Sequence, residues 1–549
     1  MADEIQEIGA DGDSYAVLNT LDPPAVTPIL DSSDPYEKLG ERMNSETRDS
    51  VSCGNTNEPL YDGIRERNGD IDALEIAVEA QPDLVFESDI GYVASDELPF
   101  GRPRVYLERE SFSHNEDASA SSFLEETIPV PENDDGSDPA SLKNHRKHFF
   151  VLSEAGKPIY TRHGNEEQLV TLFGVMQALV SVVEDGQDLM ETILAGDTKF
   201  VFLHKPPLIL VCVTKMKDSI LQLQLQMEYV FNQVSSVLTR AQLVRIFQQR
   251  RNYDLRRLLA GSERLLDNLV NYMDNDFSVL LGAVKCLPMP ASDREAVTQT
   301  IQQQCSKIKN LLFAILIGNS QLISLVRINK KHLLHPSDVH LIINLVSSSE
   351  TFKTAEGWTP MCLPQLDPNG FLYVHASYLS DDCQACLLFF TTDRDAFFTL
   401  SDAKRNIVDK LRRHNTIESI SVALHHTSPV LGQLGVADVR HFLYKSRSSA
   451  QYTNSNVGLP YHHEQGQLYL MDLYRHIHGR MHSPSRPLKI LCHTAEKEIL
   501  FGSVTSAYEL YMIIEPMATK AAVMNAASAV LKWIKREEET YFITASTTW

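Results

Sequence analysis

One order of elements recurs along this chain, and it constrains the fold more than any single motif. HFFVLS (148–153) and PIYTR (158–162) read as a strand pair about the turn AGKP. A helix over 166–183 follows, with Asn165 as its N-cap and Glu166 and Glu167 in its first turn. Three strands come next, at 188–195, 199–204 and 207–214, and then a helical region from 218 to about 270. In that region LQLQLQ (221–226) alternates like a strand, but the 3.6-residue period around it prevails. The order then repeats: strands about a Gly-Asn turn in 311–328, a helix at 335–348 with Ser337 as candidate cap, strands near 359–364, 371–379 and 384–392, and a helix at 402–413. A third copy begins near 442–446 and passes through a broken stretch at 447–466. It continues with a helix at 467–478, strands at 488–493, 498–505 and 508–515, and a helix at 519–537. The expected architecture is therefore α/β, of the α+β type: three successive modules of about one hundred residues, each an antiparallel sheet with flanking helices.

Residues 1–145 do not share this periodicity. They hold 34 Asp and Glu against 9 Lys and Arg, whereas the remaining 404 residues hold 38 acids and 41 bases. A stretch such as PENDDGSDPAS buries too little apolar surface to offset its ordering entropy, so 1–145 is expected to be a disordered acidic tail. The charge split also sets up a regulatory reading, in which the tail folds back on a basic helix face or competes with acidic membrane. The eight cysteines are scattered, several within apolar runs, as buried thiols in a reducing compartment would be. No apolar run approaches the length of a membrane span, and no signal peptide is visible. A net charge of −22 and the lack of a recognised binding motif argue against a nucleic-acid role.

Motifs of enzyme chemistry are missing. There is no phosphate loop, dinucleotide fingerprint, H-E-x-x-H or nucleophile elbow. Cys383 and Cys386 form one CxxC running into an apolar strand, which reads as buried thiols; a zinc site needs four ligands and a redox pair needs exposure. His462, His463, His476, His478 and His482 fall in one module, and His478 and His482 are four apart. Without another ligand in view they read as surface histidines, so neither a metal nor a cofactor is expected.

The helix QLVTLFGVMQALVSVV (168–183) is more informative. Leu169, Leu172, Phe173, Met176, Leu179, Val180 and Val183 form one face; Thr171, Val175, Ala178 and Val182 form a second. It carries no charge, and a helix apolar all round needs cover all round. The sheet covers one face. Another module or a second protein must cover the other. Downstream, Arg240, Arg245, Arg250, Arg251, Arg256 and Arg257 cluster as a solvated face or a surface for anionic headgroups or an acidic partner.

Long segments of the chain resemble one family. KHFFVLSEAGKPIYTRHGNEE (147–167), FLHKPPLILV (202–211), LRRLLAGSERLLDNL (255–269) and GWTPMCLPQLDPNGFLYVHASYL (357–379) are similar to the SAND family, the Mon-one subunit of the Mon–Ccz complex. The resemblance covers roughly 146–549 and leaves out the tail. It implies three longin domains, each a five-stranded antiparallel sheet flanked by helices, at 146–290, 305–430 and 438–549. It also implies pairing with a Ccz subunit through the first longin domains, and guanine-nucleotide exchange on the late-endosomal Rab. Recruitment by the early-endosomal Rab and by phosphatidylinositol 3-phosphate membranes would follow, with a third subunit in animals. The chain would then be cytosolic and peripherally recruited to late endosomes, lysosomes and autophagosomes.

Exchange needs no catalytic side chain, only tighter binding of the nucleotide-free GTPase. The residues expected to meet the GTPase or the partner subunit are Asn165, Glu166, Gln168, Thr171, Leu172, Val175, Ala178 and Val182 of the first helix, with Lys199 and His204 on neighbouring strands. Arg245, Arg250, Arg251, Arg256 and Arg257 are the expected anionic-membrane surface. Two alternatives stay open: a longin-type adaptor or tether without exchange activity, and a metal or redox enzyme built on the cysteine pair or the histidines.

Overall fold

The computed structural model describes residues 145–544, except 167–168, 329–330, 381–382, 426–430 and 437. The expected tail, apart from His145, lies outside the described residues, as does Gln168.

The first sheet comprises β1 (Lys147–Ser153), β2 (Pro158–Thr161), β3 (Thr192–Ala195), β4 (Thr198–Lys205) and β5 (Leu208–Thr214), in the order β2-β1-β5-β4-β3. The second has the same order, β8-β7-β11-β10-β9, from β7 (Leu311–Gly318), β8 (Gln321–Arg327), β9 (Gly357–Met361), β10 (Leu372–Ser380) and β11 (Cys383–Thr391). The third repeats it with β12 (Val439–Ser446), β13 (Gln451–Asn454), β14 (Ile490–Thr494), β15 (Ile499–Val504) and β16 (Tyr508–Ile514). Pairing within each five-strand set is antiparallel. The third sheet gains a sixth member, the two-residue β6 (Val284–Lys285), which joins β13 in parallel. A strand so short gives no periodic signal, and the sequence reading missed it.

The helices are α1 (Val170–Asp185), α2 (Ile220–Leu238), α3 (Arg240–Gln249), α4 (Glu263–Asn275), α5 (Ala291–Cys305), α6 (Pro336–Ser348), α7 (Phe397–Arg413), α8 (Thr416–His425), α9 (Glu464–Met481) and α10 (Lys520–Arg536), with short turns between. The expected helical region over 218–270 comprises several separate helices. Thr239 breaks it at φ 53°, a left-handed value costly for a β-branched residue, and its side chain then caps α3 by accepting from Gln242 N. LQLQLQ is helical, started by a capping box between Ser219 and Gln222. Two expected caps are displaced. Asn165 does not cap α1, which starts at Val170 without a side-chain cap; the Asn165 carbonyl instead accepts from Leu169 N. His335, not Ser337, caps α6, its ring accepting from Ser337 N.

The core explains why three modules form one body. A face of the first sheet (Phe149, Val151, Leu210), α2, α4, α6 and a face of the second sheet (Phe313, Ile315, Leu388) share one apolar cluster. The first helix of the second domain, α6, is buried nearly all round between its own sheet and α4, and Asn344 donates to Gln233 Oε1 and Leu265 O at 2.8 Å each. The first helix of the third domain, α9, also docks on the first domain. Its Arg475 reaches the Asp274 carbonyl at 3.0 Å and the Asp218 carboxylate at 3.4 Å. Lys147, buried at the start of β1, lies 3.0 Å from Asp274 and 3.6 Å from Asp218. Burial pushes the Asp218 carboxyl up, but Lys147, Arg475 and Lys199 more than offset this and hold it below its ordinary value.

His340 of α6 is fully buried at the junction of the first two domains. Tyr229 Oη donates to its Nδ1 at 2.8 Å, and its Nε2–H donates to Ala283 O at 3.0 Å. Burial lowers its pKa to about 4, partly countered by the Ala283 bond. A base depressed in the folded state binds its proton only in the unfolded chain between about pH 6.5 and 4, so stability falls with acidification across that window. His340 is expected to contribute a loss of about 2 kcal/mol between pH 6.5 and 5. Urea unfolding of wild type and His340→Gln at both pH values checks this: the variant should show a shallower acid dependence, and an unchanged one would refute the assignment.

Candidate functional site

On α1 the fold separates the two apolar faces. Phe173, Met176 and Val180 are buried, and with Leu169 they pack on Phe150, Leu152, Phe202, Ile209 and Val211 of the first sheet. Leu172 is half-buried at the margin of this cluster. The other face has no cover among the described residues. Val170, Val175, Leu179 and Val182 are 51, 52, 42 and 72% exposed, and Thr171, Gly174 and Ala178 between them are exposed too. Leu179, expected on the inner face, turns outward. The first helices of the second and third domains dock on the first domain's helices; α1 alone of the three keeps its outer side open. A Cβ at Gly174 would meet nothing within 4 Å, so the glycine leaves a shallow place in this surface.

The patch continues past the helix. Leu189 is exposed in the connection to β3, and β3 is the sheet's edge. Leu194 on β3 shares the face of its partner Lys199, opposite α1, and is 67% exposed. The first domain thus offers an unpaired strand edge with apolar side chains on both sides. Such an edge invites a further strand or a covering partner.

Other expected site residues fall elsewhere. Asn165 is exposed in the lead into α1, and Glu166 accepts from Thr161 N at 3.2 Å, bracing that lead. His204 donates to Met190 O at 2.9 Å beneath the C-terminal end of α1, a positioning contact. Lys199 lies on the opposite face of the sheet, its ammonium on the Met216 and Asp218 carbonyls at 3.3 and 2.7 Å, and burial lowers its pKa. The structure therefore unites Thr171, Val175, Ala178 and Val182 in one surface and leaves Lys199 out of it. Missing from the sequence reading are Val170, Leu179 and Leu189. Val170 lies within the sixteen residues weighed but was assigned to neither face, Leu189 lies beyond them, and Leu179 sits at the boundary of the two faces.

Arg245, Arg250, Arg251 and Arg257 are exposed around α3 and the loop after it, and make no ion pair among the described residues. Arg256 differs, held by both Asp254 oxygens at 3.0 Å. The β1–β2 turn lies between this basic loop and α1. Lys157 Nζ donates to Asn252 O at 2.6 Å, and a Cβ on Gly156 would meet Gln177 of α1 at 3.1 Å.

Cys383 and Cys386 are buried, and burial pushes the Cys386 thiol up to about 12, the opposite of a reactive pair. No helix among the described residues is long and apolar enough to cross a membrane.

Three consecutive sheets of one strand order, each with helices on its faces, define a tri-longin protein. Family models agree domain by domain: the first, second and third longin domains of FUZ, MON1 and HPS1 match residues 147–269, 309–409 and 438–538. Vacuolar fusion protein MON1 homolog A of Gallus gallus is 46% identical over 399 residues, 73% of this chain and 72% of that protein. Protein SAND of Takifugu rubripes is 44% identical over 407 residues, 74% of this chain and 78% of its own length. Vacuolar fusion protein MON1 homolog B of Mus musculus is 35% identical over an alignment of 549 residues, covering 95% and 93% of the two chains. The chain belongs to the MON1 (SAND) family.

Proposed function

We propose that this chain is one subunit of a heteromeric guanine-nucleotide exchange factor, which pairs with a Ccz subunit and activates the late-endosomal Rab in endosome maturation and fusion with vacuole or lysosome. The observation that carries the reading is the open face of α1 beside the free edge of β3. In the other two domains the equivalent helix is already covered within the chain. A second longin subunit would cover α1 with its own apolar helix or extend the sheet at β3. Relatives named for vacuolar fusion support the cellular setting. The domain limits we infer are 146–290, 305–430 and 438–549.

The chemistry follows from binding alone. A GTPase retains nucleotide through phosphate contacts, Mg²⁺ and ordered switch loops. A surface that binds the nucleotide-free form more tightly lowers the affinity for nucleotide by the same factor, by linkage. The exposed arginines 245, 250, 251 and 257 supply a basic surface for anionic headgroups such as phosphatidylinositol 3-phosphate, which would hold the complex at the membrane.

Release of a fluorescent guanine nucleotide from the late-endosomal Rab tests this, with this chain, with Ccz, and with both, on vesicles with and without phosphatidylinositol 3-phosphate. Acceleration only by the pair is expected, greater on the anionic vesicles and lost there with Arg250→Glu/Arg251→Glu. Binding of GTP-loaded Rab without acceleration would establish the adaptor reading instead.

A further inference from the structure

The sequence offers two histidines one helical turn apart and no further ligand; the fold brings one. His478 and His482 stand at the C-terminal end of α9, which runs to Met481 and not, as expected, to 478. Glu509 on β16 faces them, and one ligand atom from each of the three lies within 4.8 Å of the others. His482 Nε2 is 3.5 Å from Glu509 Oε2. The Tyr511 hydroxyl is 2.9 Å from that nitrogen and 3.0 Å from that oxygen. A tetrahedral zinc bonded at ~2.0–2.1 Å holds its ligand atoms about 3.3–3.5 Å apart. The His482–Glu509 separation is therefore already that of two ligands on one ion.

The surroundings set the orientation. Lys445 and Arg447 hold the other carboxylate oxygen, Oε1, at 3.1 and 3.7 Å, which leaves Oε2 turned to the histidines. Gln222 Nε2 lies 3.3 Å from His478 Nδ1 and holds that ring in place. Imidazole with carboxylate favours zinc and its transition-metal neighbours over calcium or magnesium.

We propose that His478, His482 and Glu509 bind one zinc-class divalent metal, with the Tyr511 hydroxyl beside it. The two cations on Oε1 weaken the site, so it binds less tightly than a permanent structural zinc. Gln222 also belongs to the capping box that starts α2, so the ion sits where the third domain meets the first and stiffens that junction.

Chelator-treated full-length chain titrated with Zn²⁺ against a chromophoric chelator tests the site, and Co²⁺ reports its geometry by visible absorption. One equivalent and a tetrahedral cobalt band are expected. His482→Ala, at a partly exposed position, and Glu509→Gln should each weaken binding by at least about 100-fold, beyond what loss of a supporting group gives. The exposed pair His462 and His463 is the control, and His462→Ala/His463→Ala should bind like wild type. Absence of a saturable equivalent, unchanged binding in His482→Ala, or loss of binding in the control pair would each overturn the assignment.

Discussion

Val175→Asp/Val182→Asp is expected to weaken association with the proposed partner subunit by more than about 100-fold while leaving the chain folded. Both side chains are more than half exposed on the outer face of α1, so aspartate there stays hydrated in the free chain. Surface changes of this kind shift stability by about 0.5 kcal/mol or less. In a complex that covers the face, two carboxylates would be buried without counter-charges, at about 3–5 kcal/mol each. Every 1.4 kcal/mol is tenfold in affinity. Co-purification and titration calorimetry read the loss, and an unchanged unfolding curve separates it from misfolding. Phe173→Asp on the inner face should do the reverse and unfold the first domain. Wild-type affinity in the double variant would place the interface elsewhere.

The second large effect is one of stability. Arg475→Ala is expected to cost about 3–5 kcal/mol, because it leaves Asp218 and Asp274 with Lys147 as their main buried counter-charge. Both Asp218 oxygens lie in ion-pair range without hydrogen-bond geometry, so the carboxylate depends on surrounding positive charge. The cost falls on one junction, where β1 and α4 meet α9. Unfolding should therefore separate into two transitions, the third domain leaving first. Calorimetry and limited proteolysis between 544 and 438 follow this. A loss below about 1 kcal/mol with a single transition would show that the apolar contacts alone hold the domains together.

Much of the fold was legible because each element carried its own period. LILVCV alternates onto two buried faces of β5, and the helical spacing of Leu223, Met227, Val230 and Val234 survives in α2. Breaks were harder to see. Thr239 takes a left-handed backbone within an unbroken apolar period, and its only local signal is the helix-start pair Thr239 and Gln242. α5, weak in apolar periodicity, was passed over entirely, since only Val297, Ile301 and Cys305 line its inner side with Arg294. The candidate site was readable as a helix without charge, but not whether another module of the chain covers its outer face. That depended on α4 lying against α6 and α9 and away from α1, a long-range arrangement. Lys199 shows the limit of strand proximity: pairing put it beside the helix in sequence terms, and the period of two put it on the other face.

The claim that the open face of α1 is the docking surface can be measured directly by hydrogen exchange, comparing this chain alone and with the partner subunit. The account predicts that amides of β3 (192–195) and the exposed turns of α1 (170–185) become strongly protected, while α6 and α9, already covered within the chain, change little. Protection confined to the second or third domain, with 170–195 exchanging as in the free chain, would contradict it.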